Sequence, residues 1–115
     1  MKVAVSSTGT TLDAPVHNLF GRCDFILIID TETEAAAPIK NNFIDAAAGA
    51  GTGCAQAVIK EGVEAVISGQ IGPNAYEALT AAGITMYNAH PDISVHEALE
   101  KFKAGSLPKN EVRRF

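Results

Sequence analysis

The stretch Ile67-Ser68-Gly69-Gln70-Ile71-Gly72-Pro73-Asn74-Ala75 marks the point where an apolar strand pattern passes into a helix pattern. Apolar residues with a period of about 3.6 follow Pro73. Proline is favoured at the first helical position because its missing N–H would have no partner there. Such a junction presents backbone N–H groups and the positive end of a helix dipole. It therefore predicts either a site for an anionic ligand or a tight strand-to-helix turn that binds nothing.

Strand and helix patterns alternate on both sides of this junction. The predicted strands are 2–6, 24–30, 35–39, 64–68 and 84–88, and the predicted helices are 53–61, 73–82 and 94–104. The order β-β-β-α-β-α-β-α predicts a three-layer α/β/α domain with a mixed five-stranded sheet, the plan of the ribonuclease H-like fold. The nearly all-apolar second strand is predicted to be buried on both faces and central, with the third strand antiparallel to it. Each predicted helix ends at a glycine, and Ser94-Val95-His96-Glu97 is a capping box.

Length and composition indicate one folded domain. The chain has 115 residues, 47% of them hydrophobic, and a net charge of −4. We expect a single domain over 1–105 and a flexible, basic C-terminal tail over 106–115. The charge gives no indication of nucleic-acid binding, and the longest apolar run, 25–29, is too short to span a bilayer. Two cysteines and no signal-peptide pattern predict a reducing, cytoplasmic setting.

Several familiar chemistries are excluded by their motifs. A metal-dependent nuclease of ribonuclease H type needs a carboxylate in the middle of the first strand, and residues 2–6 contain none. The glycines at 49, 51 and 53 form neither a Walker A loop nor a dinucleotide-binding fingerprint. They predict either an N–H-rich rim at the start of a helix or a merely structural connection.

The cysteines and loop histidines are the candidate metal ligands. Cys23 follows Arg22, and Cys54 lies in the predicted first turn of a helix; both settings stabilise a thiolate. The alternative is that both are small core hydrophobes. His17 and His90 lie in predicted loops at strand ends, where ligands are commonly met, whereas His96 is predicted on a helix surface.

These segments together resemble a known family. Four segments are similar to the dinitrogenase iron–molybdenum cofactor biosynthesis accessory family of NifX-like and NafY-like proteins. They are residues 2–7 (Lys-Val-Ala-Val-Ser-Ser), 16–23 (Val-His-Asn-Leu-Phe-Gly-Arg-Cys), 49–56 (Gly-Ala-Gly-Thr-Gly-Cys-Ala-Gln) and 62–79, the last with Gly-Gln-Ile-Gly-Pro-Asn-Ala at its centre. The resemblance covers residues 1–105. Family members often read His-Phe-Gly where this chain has Leu19-Phe20-Gly21, so the nearest histidine, His17, lies two residues earlier.

The resemblance implies the fold given above and the binding or carriage of an anionic iron–sulfur or iron–molybdenum–sulfur cluster, or its precursor, without catalysis. Its partners would be the cluster and cluster-assembly or acceptor proteins, with no nucleic acid or membrane, and the chain would be a monomer or weak homodimer. We expect a site at the strand ends of the parallel half of the sheet. The expected metal ligands are Cys23, His17 and Cys54, and the expected cofactor-binding residues are Ser7, Thr8, Arg22, Gly51, Gly53, Gly72 and Asn74.

Two other functions stay open at this point. One is a binding module for a phosphorylated or nucleotide-like metabolite in the same cleft, which would need no thiols. The other is a thiol-based reductase around Cys23, for which no resolving cysteine lies nearby in the sequence.

Overall fold

A computed structural model describes residues 1–42 and 50–110. The strands are β1 (Lys2–Ser7), β2 (Phe25–Asp30), β3 (Ala36–Lys40), β4 (Ala65–Ser68) and β5 (Thr85–Asn88). The helices are α1 (Ala50–Lys60), α2 (Pro73–Ala81) and α3 (Val95–Lys103), with a 3₁₀ turn at Phe20–Arg22. Among the described residues, no helix is long and apolar enough to cross a membrane.

The five strands form one mixed sheet in the order β3-β2-β1-β4-β5. β2 pairs antiparallel with both β1 and β3, whereas β1–β4 and β4–β5 are parallel. The predicted mixed sheet and the antiparallel third strand are therefore confirmed. The prediction that β2 is central is wrong: β2 is buried, but β1 has two strands on each side because the chain crosses from β3 over to β4.

Side chains of each strand alternate between two cores, which gives the predicted three layers. Ala4, Ile26 and Val66 pack on one face against α1 and α2. The residues that pack on the other face, against α3, include Val3, Val5, Leu27 and Ile67. Neighbouring residues along each strand therefore point to opposite faces, as expected for a sheet that is covered on both sides.

Local signals set the helix ends. Ser94 Oγ accepts a hydrogen bond from the Glu97 N–H at 3.0 Å, so the predicted N-cap of α3 is present. Gly62, Gly83 and Gly105 follow the three helices with φ of 71°, 77° and 71°, a conformation that glycine adopts without a Cβ penalty. α1 begins at least three residues before the predicted Gly53, because the alanine and glycine residues there carry no cap signal.

Residues 106–110 lie against the sheet, although the sequence predicts a flexible tail from 106. The Asn88 N–H donates to the Pro108 carbonyl at 2.8 Å, and the Asn110 N–H donates to the Met86 carbonyl at 2.9 Å. Asn110 is buried, and its amide donates to the Gly69 carbonyl at 2.5 Å. These bonds satisfy backbone groups at the β5 edge; residues 111–115 lie outside the described part of the chain.

Candidate functional site

The 3₁₀ turn Phe20–Arg22 is held against the loop that leads into α2. The Phe20 N–H donates to the Gln70 carbonyl at 2.9 Å, the Gln70 N–H donates to the Asn18 carbonyl at 2.6 Å, and the Gly69 N–H donates to the His17 carbonyl at 3.2 Å. Phe20 itself is buried in the core beneath. Residues 17–20 and 69–70 therefore form one connected backbone unit at the carboxyl end of β4. The sequence predicts these two segments near one another but not this pairing.

The start of α2 lies beside this unit and has no side-chain cap. Gly72 occupies the N-cap position with an extended backbone and no side chain to offer, and Pro73 follows at the first helical position. Gly72, Pro73 and Asn74 are exposed. Among the described residues, the N-cap position therefore offers no side-chain acceptor to the N–H groups of the first helical turn, an arrangement that favours an anion.

The first residues of α1 pack against α2. A Cβ added at Gly51 would lie 3.3 Å from the Ala75 Cβ, so small residues on both helices allow this approach. Gly51 lies inside α1 and not in a connection before it, which corrects the predicted start at Gly53. Gly49, the first glycine of the motif, lies outside the described residues.

Cys23 and Cys54 are brought together by the fold, although 31 positions separate them in the sequence. The two thiols lie close enough to influence each other's ionisation, and both side chains are buried, at 0% and 1% exposed. The Cys23 thiol also contacts the Phe20 carbonyl at 3.1 Å, and the Cys54 thiol contacts the Asn41 Oδ1 at 3.2 Å. The chain thus holds a buried dithiol directly beneath the 3₁₀ turn.

The electrostatics of the dithiol are unequal. The pKa of the Cys23 thiol is raised far above its usual value by its interaction with the Cys54 thiol and by burial. The pKa of Cys54 is lowered because the Cys23 thiol stabilises the Cys54 thiolate, and burial opposes this. The sequence predicts a stabilised thiolate at both positions, and for Cys23 the structure shows the reverse. Cys54 lies in the second turn of α1 as described, so it is not the first-turn residue that the sequence predicts.

Asn41 is the residue of this site that the sequence analysis missed. It is buried, and its amide group donates to the Gly21 carbonyl at 3.0 Å and to the Cys23 carbonyl at 2.8 Å. Its own carbonyl faces the Cys54 thiol. One side chain thereby joins the end of β3, the 3₁₀ turn and α1. The only signal for it is a polar residue two positions after a predicted strand.

His17 lies at the edge of this region, half-buried in the loop before the turn. Its Nδ1 is 3.0 Å from the Leu19 N–H and 3.1 Å from the Leu19 carbonyl, so either tautomer has a backbone partner. When Nδ1–H donates to that carbonyl, the Nε2 lone pair is left for a ligand. Among the residues that the structure describes, His17 does not form a close three-ligand group with the two cysteines.

The remaining predicted residues have other local roles. The Ser7 hydroxyl donates to the Gly9 carbonyl at 2.8 Å, and the Thr8 hydroxyl and N–H both contact the Pro15 carbonyl. The Ser7 N–H faces the Cys23 sulfur, so Ser7 reaches the dithiol through its backbone. Arg22 is exposed at the end of the 3₁₀ turn. The cationic side chain is therefore at the surface of the site and the thiols are beneath it.

His90 belongs to a neighbouring cavity of about 650 Å³ at the ends of β4 and β5. Gln70, Asn88 and Lys101 also line this cavity. Its mixed polar and apolar lining and its place at the carboxyl ends of parallel strands suit a small organic molecule with polar groups.

Comparison with known proteins places the chain in context. A family model described as "Dinitrogenase iron-molybdenum cofactor" matches residues 1–105. The orange protein of Desulfovibrio gigas, solved in its apo form, is 32% identical over 96% of each chain with a TM-score of 0.90. A Thermotoga protein whose name relates it to NifB is 32% identical, covers 98% of this chain and 97% of its own, and has a TM-score of 0.84. An uncharacterised protein of Methanocaldococcus jannaschii is 34% identical over 80% of each chain.

Proposed function

The chain belongs to the dinitrogenase iron-molybdenum cofactor family, and from this premise we propose that it binds or carries an anionic metal–sulfur cluster, or a precursor of one, without turning it over. The observation that carries the proposal is the position of the dithiol Cys23–Cys54 beneath a 3₁₀ turn that adjoins the uncapped start of α2. Sulfur ligands and anion-binding N–H groups therefore lie within one region.

The chemistry of this region suits cargo that must be released. Backbone N–H groups attract an anionic cluster through charge-assisted hydrogen bonds but form no covalent bond with it. Two thiols and one histidine are fewer ligands than the four that close a structural metal site. A carrier with few ligands can transfer its cluster to an acceptor protein.

Loading proceeds in two stages in this proposal. The anion first meets the N–H groups of Gly72 and Asn74 at the start of α2, with Arg22 as a counter-charge. Because both sulfurs are covered by the 3₁₀ turn, ligation by Cys54 and then Cys23 requires residues 20–22 to move outward. Cys54 binds first because its pKa is the lower of the two.

The test is an anaerobic titration of the apoprotein with tetrathiomolybdate and ferrous iron, and separately with a preformed iron–sulfur cluster. Metal content and the visible charge-transfer spectrum are read after gel filtration. We expect stoichiometric, coloured protein for the natural chain and loss of colour when His17, Cys23 and Cys54 are replaced. Replacement of His90 by Gln is the matched control because His90 is also a loop histidine after a strand but is not one of the predicted cluster ligands.

The role of the α2 start is tested by an isosteric change of charge. Asn74→Asp adds a negative charge at the first turn, which repels an anion but favours the helix dipole. We expect weaker cluster binding together with unchanged or slightly higher thermal stability. Gln56→Glu makes the same change of charge on an exposed position of α1 and should leave binding unaltered. Equal binding by both variants would refute the role of the α2 start.

A second candidate function is a binding module for a phosphorylated or nucleotide-like metabolite. The observation in its favour is that both thiols are buried and already hydrogen-bonded, which suits binding through N–H groups alone. The double variant Cys23→Ser, Cys54→Ser separates the two functions. Metabolite binding survives this change, whereas thiolate-dependent cluster binding does not.

The third hypothesis is a thiol-based reductase, for which Cys23 has no resolving cysteine nearby in the sequence. The fold brings Cys54 close to Cys23 in space. The burial of both sulfurs nevertheless keeps a substrate disulfide from reaching them, so we retain the carrier as the proposed function.

A further inference from the structure

A second group of metal-binding side chains lies at the other end of β2. Glu34 follows β2, whereas Cys23 precedes it, so the two regions are separated by the length of that strand. Ligand atoms of Glu34, His96 and Glu100 all lie within 4.8 Å of one another. We propose that these three side chains bind a divalent transition-metal ion such as Zn²⁺, in a site independent of the proposed cluster site.

The distances are close to those of a metal site before the ion draws its ligands together. His96 Nε2 is 3.8 Å from the Glu34 Oε1 and 3.6 Å from the Glu100 Oε1. Ligand atoms around a tetrahedral Zn²⁺ are roughly 3.4 Å apart, given metal–ligand bonds of about 2.0–2.1 Å. All three side chains are about one-third exposed or more. Small rotations about their side-chain bonds can therefore bring the ligand atoms to the distances found around a bound Zn²⁺.

The secondary structure positions the three ligands. His96 and Glu100 are four residues apart on α3, so their side chains share one helix face. Glu34 comes from the β2–β3 turn and has a φ of 61°, which is uncommon for a residue with a Cβ. Its N–H donates to the Asp30 carbonyl at 2.8 Å, and the Asp30 carboxylate accepts from the Glu32 and Thr33 N–H groups. The turn is thus fixed so that Glu34 reaches α3.

Lys103 orients the Glu34 carboxylate. Its Nζ donates to the Glu34 Oε2 at 2.6 Å, which leaves the other oxygen, Oε1, towards His96. A lysine that holds one carboxylate oxygen while the other binds the ion is an outer-shell partner of the kind that metal sites commonly use.

The donor set indicates the class of ion. An imidazole and two carboxylates suit Zn²⁺, Co²⁺ or Mn²⁺, whereas Ca²⁺ and Mg²⁺ prefer oxygen ligands alone. Two glutamates and one lysine give the group a formal net charge of −1, which attracts a cation. An ion bound there joins the β2–β3 turn to α3 and adds to the stability of the fold by preferential binding to the native state.

The experiment is a Zn²⁺ titration of the full chain followed by long-range ¹H–¹⁵N NMR of the three histidine rings. This measurement reads each ring separately, so zinc at the dithiol does not obscure the result. We expect the His96 Nε2 resonance to shift and saturate near one equivalent, before those of His17 and His90. His90 is the internal control because it also lies beside a carboxylate, that of Asp92 at 3.2 Å. Among the described residues, however, His90 belongs to no group of three close metal-binding side chains.

Two isosteric variants decide whether three ligands act together. Glu34→Gln and Glu100→Gln should each weaken Zn²⁺ binding at His96 about tenfold or more. Glu97→Gln, an exposed glutamate of the same helix, should leave the affinity within twofold, and thermal melts establish that all three variants fold. A His96 response no tighter than that of His90, or one unchanged in Glu34→Gln, overturns the proposal. Because the readout is confined to His96, neither result bears on the cluster site.

Discussion

Gly69→Ala should disrupt the backbone unit that carries the proposed cluster site. A Cβ at this position would overlap the Asn18 carbonyl oxygen and lie 2.6 Å from the Asn18 carbonyl carbon and Cα. Such contacts involve backbone atoms and cannot be relieved by a side-chain rotation. The segment 69–70 must therefore separate from residues 17–20.

The loss of stability expected for Gly69→Ala follows from the hydrogen bonds that the substitution breaks. Three backbone hydrogen bonds join the two segments, from the N–H groups of Phe20, Gly69 and Gln70. At about 1 kcal/mol each, their loss destabilises the fold by about 3 kcal/mol. For a domain of this size that corresponds to a decrease of roughly 10 °C in Tm.

The assay is thermal unfolding followed by circular dichroism, with Gly72→Ala as the matched control. A Cβ at Gly72 would meet no atom within 4 Å, and its φ of −69° is open to alanine. We expect the control to change Tm by less than about 2 °C, in keeping with an exposed substitution. Equal Tm values for Gly69→Ala and the natural chain would refute the close approach at Asn18. In the loading assay, Gly69→Ala should also lower cluster uptake, because the 3₁₀ turn loses its anchor.

Three further predictions concern single side chains. Asn41→Ala removes two donors from buried carbonyl groups and the acceptor of Cys54, so urea unfolding should show a loss of about 2–3 kcal/mol, and a loss below about 0.5 kcal/mol would contradict this role. Ser94→Ala removes the N-cap of α3 and should cost about 1 kcal/mol in the same assay, with Thr10→Ala at an exposed position outside the helices as the control. The Glu32 and Thr33 N–H groups lower the pKa of Asp30, so the stability that its charge provides is present above the unfolded-state pKa of about 3.9 and is lost as the pH falls through the lower folded-state pKa. Asp30→Asn should therefore reduce the loss of Tm at acidic pH, as measured by thermal melts at several pH values. An unchanged dependence of Tm on pH would contradict this role of Asp30.

The sequence predicts the fold better than it predicts the site, for reasons visible in particular residues. Helix α2 is well predicted because Pro73 and Gly83 mark its two ends and an apolar face repeats between them. The start of α1 is misplaced because alanine and glycine give neither a periodic pattern nor a cap. Strand identity is local information, whereas the order β3-β2-β1-β4-β5 depends on crossovers that place β1 at the centre.

The pairing of Cys23 with Cys54 depends on that strand order and on the packing of α1 against the 3₁₀ turn. No spacing rule connects two cysteines 31 positions apart, so their proximity could be proposed only through the family resemblance. The burial that raises the pKa of Cys23 agrees with the alternative that the cysteines are core residues, whereas the adjacent Arg22 indicates a lowered pKa. A charged residue that is adjacent in the sequence predicts the direction of a pKa shift only when the two side chains also share an environment in the fold.

Asn41 gives the proposed carrier a physical means of coupling loading to release. Its side chain holds the 3₁₀ turn through the Gly21 and Cys23 carbonyls and holds Cys54 through its own carbonyl. Ligation of a cluster by the thiols must break the Cys54 contact, and outward movement of the turn must break the other two. Three hydrogen bonds of about 1 kcal/mol each oppose these changes, so they weaken loading by about 3 kcal/mol and favour closure of the turn once the cluster leaves. In this proposal an acceptor protein that offers additional strong ligands draws the cluster away, and the turn closes again over the dithiol.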